Sequence, residues 1–301
     1  MVPFARVTVI GLGLIGSSIA RALRAYSPTV RVTGYDADPS VRETAVRIDL
    51  CDDVADTAGT AVIDAELVVL CVPVGAIGAA AAAIADDLPA EAIVTDVGGA
   101  KASVAAAIRA ALPHAAVVPG HPVAGTEHSG PESGFASLFR GRWCILTPDG
   151  TTPSIATARV RAFWEALGAR VEEMSADHHD RVLAVTSHVP HLIAYAIVGT
   201  ASDLEQVTQS EVIAYSAGGF RDFTRIAASD PTMWRDVFLN NREAVLEILQ
   251  RLTEDVTMLQ RAIRWGDGDA LFDLFTRTRA IRRAIIDQGQ DDPAPDFGRA
   301  H

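Results

Sequence analysis

The chain is poor in cysteine, and its charge is strongly one-sided. Its 301 residues include three cysteines, which lie far apart in or near apolar, strand-like runs: Cys51, Cys71 and Cys144. An odd, scattered set disfavours a disulfide framework or a cysteine-based metal site and is typical of core thiols in the reducing cytoplasm. The formal net charge of −12 provides no basic surface for nucleic acid or an anionic membrane, so we expect neither partner.

One uncharged stretch is long enough to cross a membrane, but its sequence is interrupted. Residues 67–85 contain no charge over 19 positions, a length sufficient for a span. Because Pro73, Gly75 and Gly78 break this stretch, it predicts a buried strand at 67–72, a loop and an Ala-rich helix. The N-terminus lacks a basic segment followed by sustained apolar residues, so no secretion signal is expected.

A glycine-rich turn connects a strand-like run to a helix-like stretch near the start of the chain. The apolar residues 7–10 lead into Gly11-Leu12-Gly13-Leu14-Ile15-Gly16, and a helix is predicted over 17–25. In a dinucleotide-binding βαβ unit the first glycine permits the sharp turn, the second lets the backbone approach a pyrophosphate, and the third allows close helix packing. The helix N-terminus then holds the phosphates. We therefore predict that this turn binds a dinucleotide.

A carboxylate stands where the adenosine ribose of that dinucleotide is expected. Asp36 ends the second strand-like run, residues 30–35, and lies 20 residues after Gly16. At this spacing an acidic side chain binds the ribose hydroxyls. Since Asp36 repels a 2′-phosphate and neither of the next two residues is basic, the predicted cofactor is NAD rather than NADP. The alternative is that Asp36 only caps the following turn.

Strand-like and helix-like segments alternate through the first half of the chain. Further apolar runs at 92–97 and 115–118 flank an Ala-rich helical stretch at 101–111. This alternation predicts an α/β fold with a Rossmann-type, doubly wound, mostly parallel sheet. In such a sheet Val72 and Pro73, at the carboxyl end of a strand, are expected to contact the cofactor.

Two later runs are predicted to extend the same sheet. Residues 143–146 and 169–172 are strand-like, and a helix is predicted between them over about 154–167.

The pattern changes after Met174, where long helical stripes replace the alternation. Apolar residues then recur at intervals of three and four: Val245, Ile248, Leu249, Leu252, Val256, Leu259 and Ile263, followed by Leu271, Leu274, Phe275, Ile281 and Ile285. We predict a nucleotide-binding domain over 1–174, an all-α substrate and dimerisation domain over 175–288, and a disordered tail over 289–301. Long amphipathic helices need a surface to cover, which predicts a homodimer. Alternatively, the stripes pack only on each other and on the first domain.

Four short segments outside the glycine turn combine groups able to carry charge. They are DVGGAK at 96–101, HPVAGTE at 121–127, SHVPH at 187–191 and GGFRDFTRIA at 218–227, with SDPTMWRD following at 229–236. Their combination and order resemble the prephenate and arogenate dehydrogenase family of tyrosine biosynthesis, from residue 7 to about 241. The resemblance implies NAD-dependent oxidative decarboxylation of prephenate to 4-hydroxyphenylpyruvate, or of arogenate to tyrosine.

The resemblance also implies roles for individual residues. His121 matches the family's catalytic histidine and is expected to accept the C4 hydroxyl proton while hydride passes to NAD⁺, a task that suits a neutral imidazole. Arg225 matches the arginine that receives a substrate carboxylate, for which a guanidinium fork is well shaped. His191 matches a second substrate-side histidine, and Thr126 and Glu127 match residues that line or gate the site. Separately from the resemblance, Ser229 and His191 are candidates for the pocket around the substrate's side chain. Pocket-wall residues, from this or a partner subunit, are Arg221, Asp222 and Trp234.

One position departs from the family's pattern. Many relatives have Gly-Ser-x-Lys where this chain has Gly98-Gly99-Ala100-Lys101. The serine that would hydrogen-bond the catalytic histidine or the reacting hydroxyl is therefore missing. Either water or the Gly99 amide fills its role, or that hydrogen bond is dispensable.

Other interpretations are open from the residues alone. His121 could be a buried histidine beside Pro122, and Arg225 a surface ion-pair partner of Asp222 or Asp230.

Three other functions are also compatible with parts of the sequence. A metal-dependent hydrolase leaves the glycine turn unexplained but could use the clustered groups His178, His179, His188, His191 and Glu127. A non-catalytic NAD-binding protein has no need of His121 together with Arg225. A β-hydroxyacid dehydrogenase is expected to use a lysine on a long interdomain helix, and no lysine follows Lys101.

Overall fold

Six parallel strands form the central sheet of the computed structural model, which describes residues 2–126, 128–208 and 218–285. The strands lie in the order β3-β2-β1-β4-β5-β6. They are β1 Arg6–Ile10, β2 Arg31–Tyr35, β3 Asp53–Val54, β4 Leu67–Leu70, β5 Ile93–Asp96 and β6 Ala116–Val118. The order reverses between β1 and β4, and ligands bind at the carboxyl ends of the strands at such a reversal. The predicted doubly wound parallel sheet is confirmed, with β3 as a short edge strand that the pattern missed.

Helices cover both faces of this sheet. They are α1 Leu14–Tyr26, α2 Pro39–Arg47, α3 Ala58–Val62, α4 Ile77–Ala82 and α5 Ala102–Ala111. All four residues of β4 are buried, because they alternate between a core that includes α1 and a second core that includes α3, α4 and α5. The interpretation of the uncharged stretch is confirmed: it forms β4, a short 3-10 turn Val74–Ala76 and α4.

Three later strands form a sheet of their own. They are β7 Gly120–Pro122, β8 Trp143–Leu146 and β9 Arg170–Glu173, with α6 Ser154–Ala166 between the last two. The prediction that 143–146 and 169–172 extend the central sheet is therefore wrong. Pro119, between β6 and β7, has no N–H for a sheet ladder, and its carbonyl oxygen accepts the Thr147 N–H at 2.9 Å. The chain leaves the central sheet at this proline and carries His121 into antiparallel pairing with β8.

The described chain after β9 is helical. Its elements are α7 Ala176–Leu183, a π-helical turn Ala184–His188, α8 Val189–Thr208, α9 Gly218–Thr224, a 3-10 turn Arg225–Ala228 and α10 Pro231–Asn240. Asp230 caps α10, because its carboxylate accepts the Met233 N–H at 2.9 Å and a proline occupies the first helical position.

One helical run satisfies the length and composition of a membrane span. It is Ala176–Asp203, the one such run that the described residues contain. Core helices of compact proteins meet the same criterion. This run carries the buried polar side chains of His179, Asp180 and His188, whose protein partners are described below.

The chain divides into two compact units, Met1–Arg242 and Glu243–His301. The helices α11 Arg242–Trp265, which begins at the last residue of the first unit, and α12 Gly268–Ile285, in the second unit, carry the predicted stripes. Large apolar side chains are exposed on these helices: Val256, Met258, Ile263, Trp265, Phe272, Phe275 and Ile281. The domain boundary at 174/175 stays a prediction, and the tail at 289–301 lies outside the described residues.

Candidate active site

The glycine-rich turn joins β1 to α1 at the carboxyl edge of the central sheet. Gly11 has φ +98°, which favours glycine, and a side-chain carbon there would lie 2.5 Å from the Cys71 carbonyl oxygen. A side chain on Gly16 would overlap the Gly11 carbonyl oxygen, whereas Gly13 faces open space. The described part of the chain supplies no side-chain cap where α1 begins. The first backbone N–H groups of α1 can therefore bind an anion.

Asp36 lies directly beside this turn. The Leu12 N–H donates to Asp36 Oδ2 at 2.8 Å, and the Asp38 N–H donates to Oδ1 at 3.0 Å. Each oxygen keeps a lone pair for a ribose hydroxyl. Arg42, on α2, is an unanticipated neighbour whose guanidinium donates to the carbonyl oxygens of Asp36 at 2.7 Å and Ala37 at 3.2 Å. Arg42 is six residues from Asp36 in the sequence, and the first turn of α2 brings it back to the end of β2.

The other predicted cofactor contacts lie around the same turn. The Leu12 side chain is fully buried in the core, so only its backbone faces the crevice. Leu14 and Ile15 are partly buried at the start of α1. A side-chain carbon on Gly11 would lie 3.0 Å from Val72 Cγ1, which places Val72 next to the turn, and the exposed Pro73 follows it.

A buried ion pair lies at the end of β5. Asp96 and Lys101 are both fully buried, and the Lys101 ammonium donates to Asp96 Oδ2 and, at 2.6 Å, to the Gly120 carbonyl oxygen. Asp96 Oδ1 accepts the Gly120 N–H at 3.2 Å, and Oδ2 accepts the Gly98 N–H at 2.8 Å. The pair thus holds both backbone groups of the residue that precedes His121. Lys101 is the only lysine of the chain.

His121, on β7, is joined to a row of buried side chains. Its Nδ1 lies 2.8 Å from His179 Nε2, and His179 Nδ1 lies 2.8 Å from Asp180 Oδ1. Asp180 accepts the N–H groups of Lys101 at 2.8 Å and Ala102 at 2.9 Å, where α5 begins. Two consecutive residues of α7 therefore connect α5 with His121. The sequence indicated His179 only as a metal-ligand candidate and gave no signal for Asp180.

The surroundings of His121 favour its neutral form. Burial, followed by the neighbouring His179, Lys101 and His188, holds the pKa of His121 well below its usual value. Burial also lowers the pKa of His179, against the opposing effect of Asp180. Burial lowers the pKa of His188 to about 4. At neutral pH these imidazoles are uncharged, which is the form that accepts a proton.

Gly99 leaves room beside the His121 ring. A side-chain carbon on Gly99 would lie 3.9 Å from both Cε1 and Nε2 of His121 and 3.5 Å from Val237 Cγ2, all ordinary van der Waals separations. The ring edge that carries Nε2 therefore faces Gly99. The position where the resembling family has serine is adjacent to the predicted catalytic base.

Two further histidines pack beside Trp234. The His191 ring stacks on Trp234 with centroids 3.7 Å apart and planes 26° apart, while its Nδ1 lies 2.8 Å from a carbonyl oxygen one turn earlier. His188 Nδ1 lies 3.0 Å from Asn241 Nδ2, which donates to the Asp180 carbonyl oxygen at 2.8 Å. Asn241, which sequence reasoning missed, ties His188 to the segment that carries His179.

Arg225 lies exposed at the start of the 3-10 turn after α9. Burial is the main cause of the lowered pKa of His191, and the charge of Arg225 adds to it, so the guanidinium acts on that ring. Within the described ranges Arg225 has no ion-pair partner, whereas Arg221 lies 4.0 Å from Asp222. The alternative of an Arg225 ion pair with Asp222 or Asp230 is not found there.

The remaining predicted substrate contacts have local partners or cannot be placed. The Ser229 hydroxyl donates to a carbonyl oxygen of its own turn at 2.8 Å, and its carbonyl accepts the Tyr195 hydroxyl at 2.7 Å. Thr126 Oγ1 accepts the His128 N–H at 3.2 Å. Glu127 lies outside the described residues. Substrate contact by these three side chains stays a prediction.

The histidines proposed as an alternative metal site have other partners. Both ring nitrogens of His179 are within hydrogen-bond distance of His121 and Asp180, and His178 is exposed. Across the residues that can be described, no group of three or more His, Cys, Asp or Glu side chains is arranged to hold a metal ion.

Two family models match the chain. One describes the nucleotide-binding domain of prephenate dehydrogenase and matches residues 19–173. The other describes the dimerization domain of prephenate dehydrogenase and matches residues 175–277. Among curated proteins, the cyclohexadienyl dehydrogenase of Zymomonas mobilis is 46% identical over 285 residues, which cover 95% of this chain and 97% of that protein.

Solved structures are similar over nearly the same length. A crystal structure of prephenate dehydrogenase from Aquifex aeolicus, in complex with hydroxyphenyl propionate and NAD⁺, matches with a TM-score of 0.87 and 33% identity, covering 93% of this chain and 98% of that one. The structure of Synechocystis arogenate dehydrogenase matches with a TM-score of 0.78 and 27% identity, covering 93% and 99%.

Proposed function

Because the chain belongs to the prephenate dehydrogenase family, we propose that it converts prephenate to 4-hydroxyphenylpyruvate and CO₂ with NAD⁺ as oxidant, in tyrosine biosynthesis. The observation that carries this proposal is the half-buried imidazole of His121, whose Nε2 edge faces Gly99. Its lowered pKa keeps that ring uncharged at neutral pH, and an imidazole can remove a hydroxyl proton only when its ring nitrogen has a free lone pair.

The first unit offers a fitting site for the dinucleotide. When bound there, NAD⁺ supplies the acceptor for the hydride that leaves C4 of the substrate. The open backbone at Gly13 and the first turn of α1 hold the pyrophosphate, and Asp36 binds the ribose hydroxyls. The Asp36 carboxylate, at the position expected for the ribose, repels a 2′-phosphate, which supports NAD over NADP.

His121 carries the proton in this reaction. Its Nε2 takes the hydroxyl proton as the C4–H bond breaks and leaves a ketone at C4. The bond from the ring to its carboxylate then breaks, CO₂ departs, and the electron pair of that bond makes the ring aromatic. The phenolate oxygen takes the proton back, so His121 is restored in each turnover. General-base help of this kind is typically worth ~10²–10⁴ in rate.

Arg225 supplies the positive charge that an anionic substrate needs on a chain of net charge −12. Its guanidinium is exposed, acts on His191 and has no ion-pair partner in the described ranges. We therefore assign it to a substrate carboxylate, which it can bind through two parallel N–H···O bonds. His191, on the Trp234 ring, faces the same region, and we keep it as a second substrate contact.

Arogenate is the second candidate substrate. It shares the ring carboxylate and the C4 hydroxyl with prephenate, so His121 and Arg225 would treat both alike. The 46% identity to a cyclohexadienyl dehydrogenase and the similarity to an arogenate dehydrogenase favour keeping it. Oxidation of arogenate would give tyrosine directly.

A homodimer in the cytoplasm is the proposed state of the enzyme. The match to a dimerization domain and the exposed apolar side chains of α11 and α12 support self-association. The three free cysteines suit a reducing compartment.

The proposal is tested by NADH formation with each substrate and each nicotinamide cofactor. We expect turnover of prephenate with NAD⁺ and little with NADP⁺. His121→Asn should lower kcat by ~10²–10⁴ with a smaller change in KM. The exposed His114, which lies outside the site, provides the control His114→Asn. No turnover of either cyclohexadienol, or near-parental kcat in His121→Asn, would contradict the proposal.

A further inference from the structure

We infer that His179 and Asp180 are positioning residues that fix which ring nitrogen of His121 is basic, so that Nε2 and not Nδ1 takes the substrate proton. The inference builds on the proposed function for its chemistry. Its structural part concerns three side chains and can be tested without substrate. We call the row of hydrogen bonds from His121 through His179 to Asp180 the relay.

The relay is continuous, and its His179 and Asp180 side chains are closed to solvent. The contacts His121 Nδ1 to His179 Nε2 and His179 Nδ1 to Asp180 Oδ1 are both 2.8 Å long. The His179 side chain is fully buried, and that of Asp180 is 7% exposed. The two imidazole rings meet edge to face, with centroids 5.1 Å apart and planes 68° apart. Both bonds therefore depend on tautomers that the protein, and not water, selects.

Asp180 sets the direction of the relay. Its Oδ1 accepts the Lys101 N–H at 2.8 Å, and its Oδ2 accepts the Ala102 N–H at 2.9 Å. Backbone N–H groups can only donate, and they lie at the positive end of α5, where a carboxylate is stabilised. Burial raises the pKa of Asp180, but hydrogen bonds from His179, Ala102 and Lys101 outweigh it and hold the pKa below its usual value. The ionised carboxylate can only accept a hydrogen bond from His179.

The proton positions then follow one from the next. Since Asp180 only accepts, His179 carries its proton on Nδ1, and His179 Nε2 has a free lone pair. That lone pair accepts the proton on His121 Nδ1, so the neutral His121 has its lone pair on Nε2. Nε2 is on the ring edge that faces Gly99. The relay therefore points the basic nitrogen away from α7 and toward the space beside Gly99.

The relay also places a negative charge where the protonated base needs one. Several groups oppose a proton on His121: burial, His179, Lys101 and His188 all lower its pKa. The carboxylates near His179 are Asp180 and Asp96, and both raise the pKa of that ring. When His121 takes the proton, its Nδ1–H remains bonded to a ring that Asp180 polarises. The Asp180 carboxylate, which selects the tautomer, thus also stabilises the protonated form of His121.

A purely structural role for the two residues is the competing explanation. Asp180 caps α5, and His179 fills the core, so their loss could disturb the fold without affecting any proton. The two explanations differ in what they predict for the His121 tautomer. They also differ in whether the reductions in kcat caused by substituting His121 and His179 are independent of each other.

The tautomer is read by long-range ¹H–¹⁵N NMR of the full chain labelled at histidine, which contains eight histidines. At neutral pH we expect His121 and His179 both to carry the proton on Nδ1. In His179→Leu, His121 should lose this preference, whereas His179→Gln, whose amide oxygen can accept the same bond, should keep it. A His121 proton on Nε2 in the parent protein would overturn the inference, whether or not the protein turns over a cyclohexadienol.

Kinetics test the consequence for the reaction. His179→Leu should lower kcat by at least ~10-fold, and by no more than the ~10²–10⁴ that general-base help is worth, with a smaller change in substrate KM. The double variant His121→Asn/His179→Leu should be no slower than His121→Asn, because the relay acts only through His121. His179→Gln should recover most of kcat. The control His178→Gln, at the exposed neighbouring position, should match the parent.

The outcomes separate the two proposals. Additive losses in the double variant would show that His179 acts through the fold and would overturn the relay while leaving the proposed reaction standing. Absence of turnover with both substrates, together with an Nδ1 proton on His121, would overturn the proposed reaction and leave the relay standing.

Discussion

Lys101 Nζ lies 2.6 Å from the carbonyl oxygen of Gly120, and through this bond the buried ammonium holds the strand on which His121 sits. The same ammonium neutralises Asp96, which is also fully buried. Lys101→Met would leave that carboxylate buried without its cation. Since breaking a buried pair from one side costs about 3–5 kcal/mol, we expect the free energy of unfolding in urea to fall by about that amount.

An exposed pair provides the matched control for this variant. Arg251 lies 3.6 Å from Glu247 on α11, and both side chains are more than half exposed. Arg251→Gln should cost about 1 kcal/mol or less. If Lys101→Met were no more destabilising than Arg251→Gln, the Asp96–Lys101 pair would not stabilise the fold or hold the strand of His121 in place.

Arg225→Gln should impair substrate binding more than turnover. Removing the guanidinium takes away the partner of a substrate carboxylate in both the bound and the transition state, so KM rises while kcat changes less. We expect KM for prephenate to rise at least ~10-fold, because a charge-assisted hydrogen bond is worth about 1.5–3 kcal/mol. Arg251→Gln, which removes an exposed guanidinium paired with Glu247 on α11, should leave KM within about threefold. Equal effects of the two variants would remove Arg225 from the site.

Gly99→Ser should fold normally and retain activity. The added side-chain carbon meets Val237 and His121 at 3.5 and 3.9 Å, so it fits without displacing either. Its hydroxyl reaches the neighbourhood of His121 Nε2 and can bond the substrate hydroxyl, which should lower KM. Gly16→Ser is the control, because a side chain there overlaps the Gly11 carbonyl oxygen and should abolish NAD binding. An unfolded or inactive Gly99→Ser protein would show that the space beside His121 is not as described.

Stability should fall as the pH drops below about 6.5. Burial lowers the pKa of His188 from 6.5 to about 4 in the folded protein, and burial also lowers the pKa values of His121, His179 and His191. In the unfolded chain these rings bind protons first, so their contribution is complete above pH 6.5 and is lost as the pH falls toward 4. For His188 alone this loss is roughly 3 kcal/mol.

Urea unfolding between pH 7.5 and 4.5 measures this effect. His188→Asn should flatten the pH dependence, whereas His178→Asn, at an exposed position, should not change it. A free energy of unfolding that stays constant between pH 7 and 5 would contradict the neutral state of these histidines in the folded protein.

Hydrophobic pattern and spacing predicted the central sheet correctly because a parallel βα unit is a local object. The glycine turn, the strand after it and Asp36 lie within 26 residues. The glycines meet the steric requirement of the turn, and the carboxylate meets the hydrogen-bonding requirement of the ribose. The placement of β8 and β9 was not local in this sense. It depends on Pro119, whose missing N–H ends one sheet and lets another begin.

The site shows the same division between local and distant information. The resemblance identified His121, and the structure adds contacts that no spacing in the sequence predicts: His179 is 58 residues from His121, and Asp180 is 79 residues from Lys101. The contact of Arg42 with Asp36 was not predicted, although the two residues are only six apart, because it depends on how the chain turns into α2. What sequence could not provide was the partner of each polar side chain, and in a buried site the partners decide protonation.

Since the only side-chain amine of this chain is sealed at the end of β5, amine-acylating reagents and lysine-specific proteases find no substrate at position 101 in the closed protein. Acylation or cleavage there requires the structure around the end of β5 and the start of α5 to open. The rate at which Lys101 is acylated, followed by mass spectrometry, would therefore report how often this part of the structure opens locally.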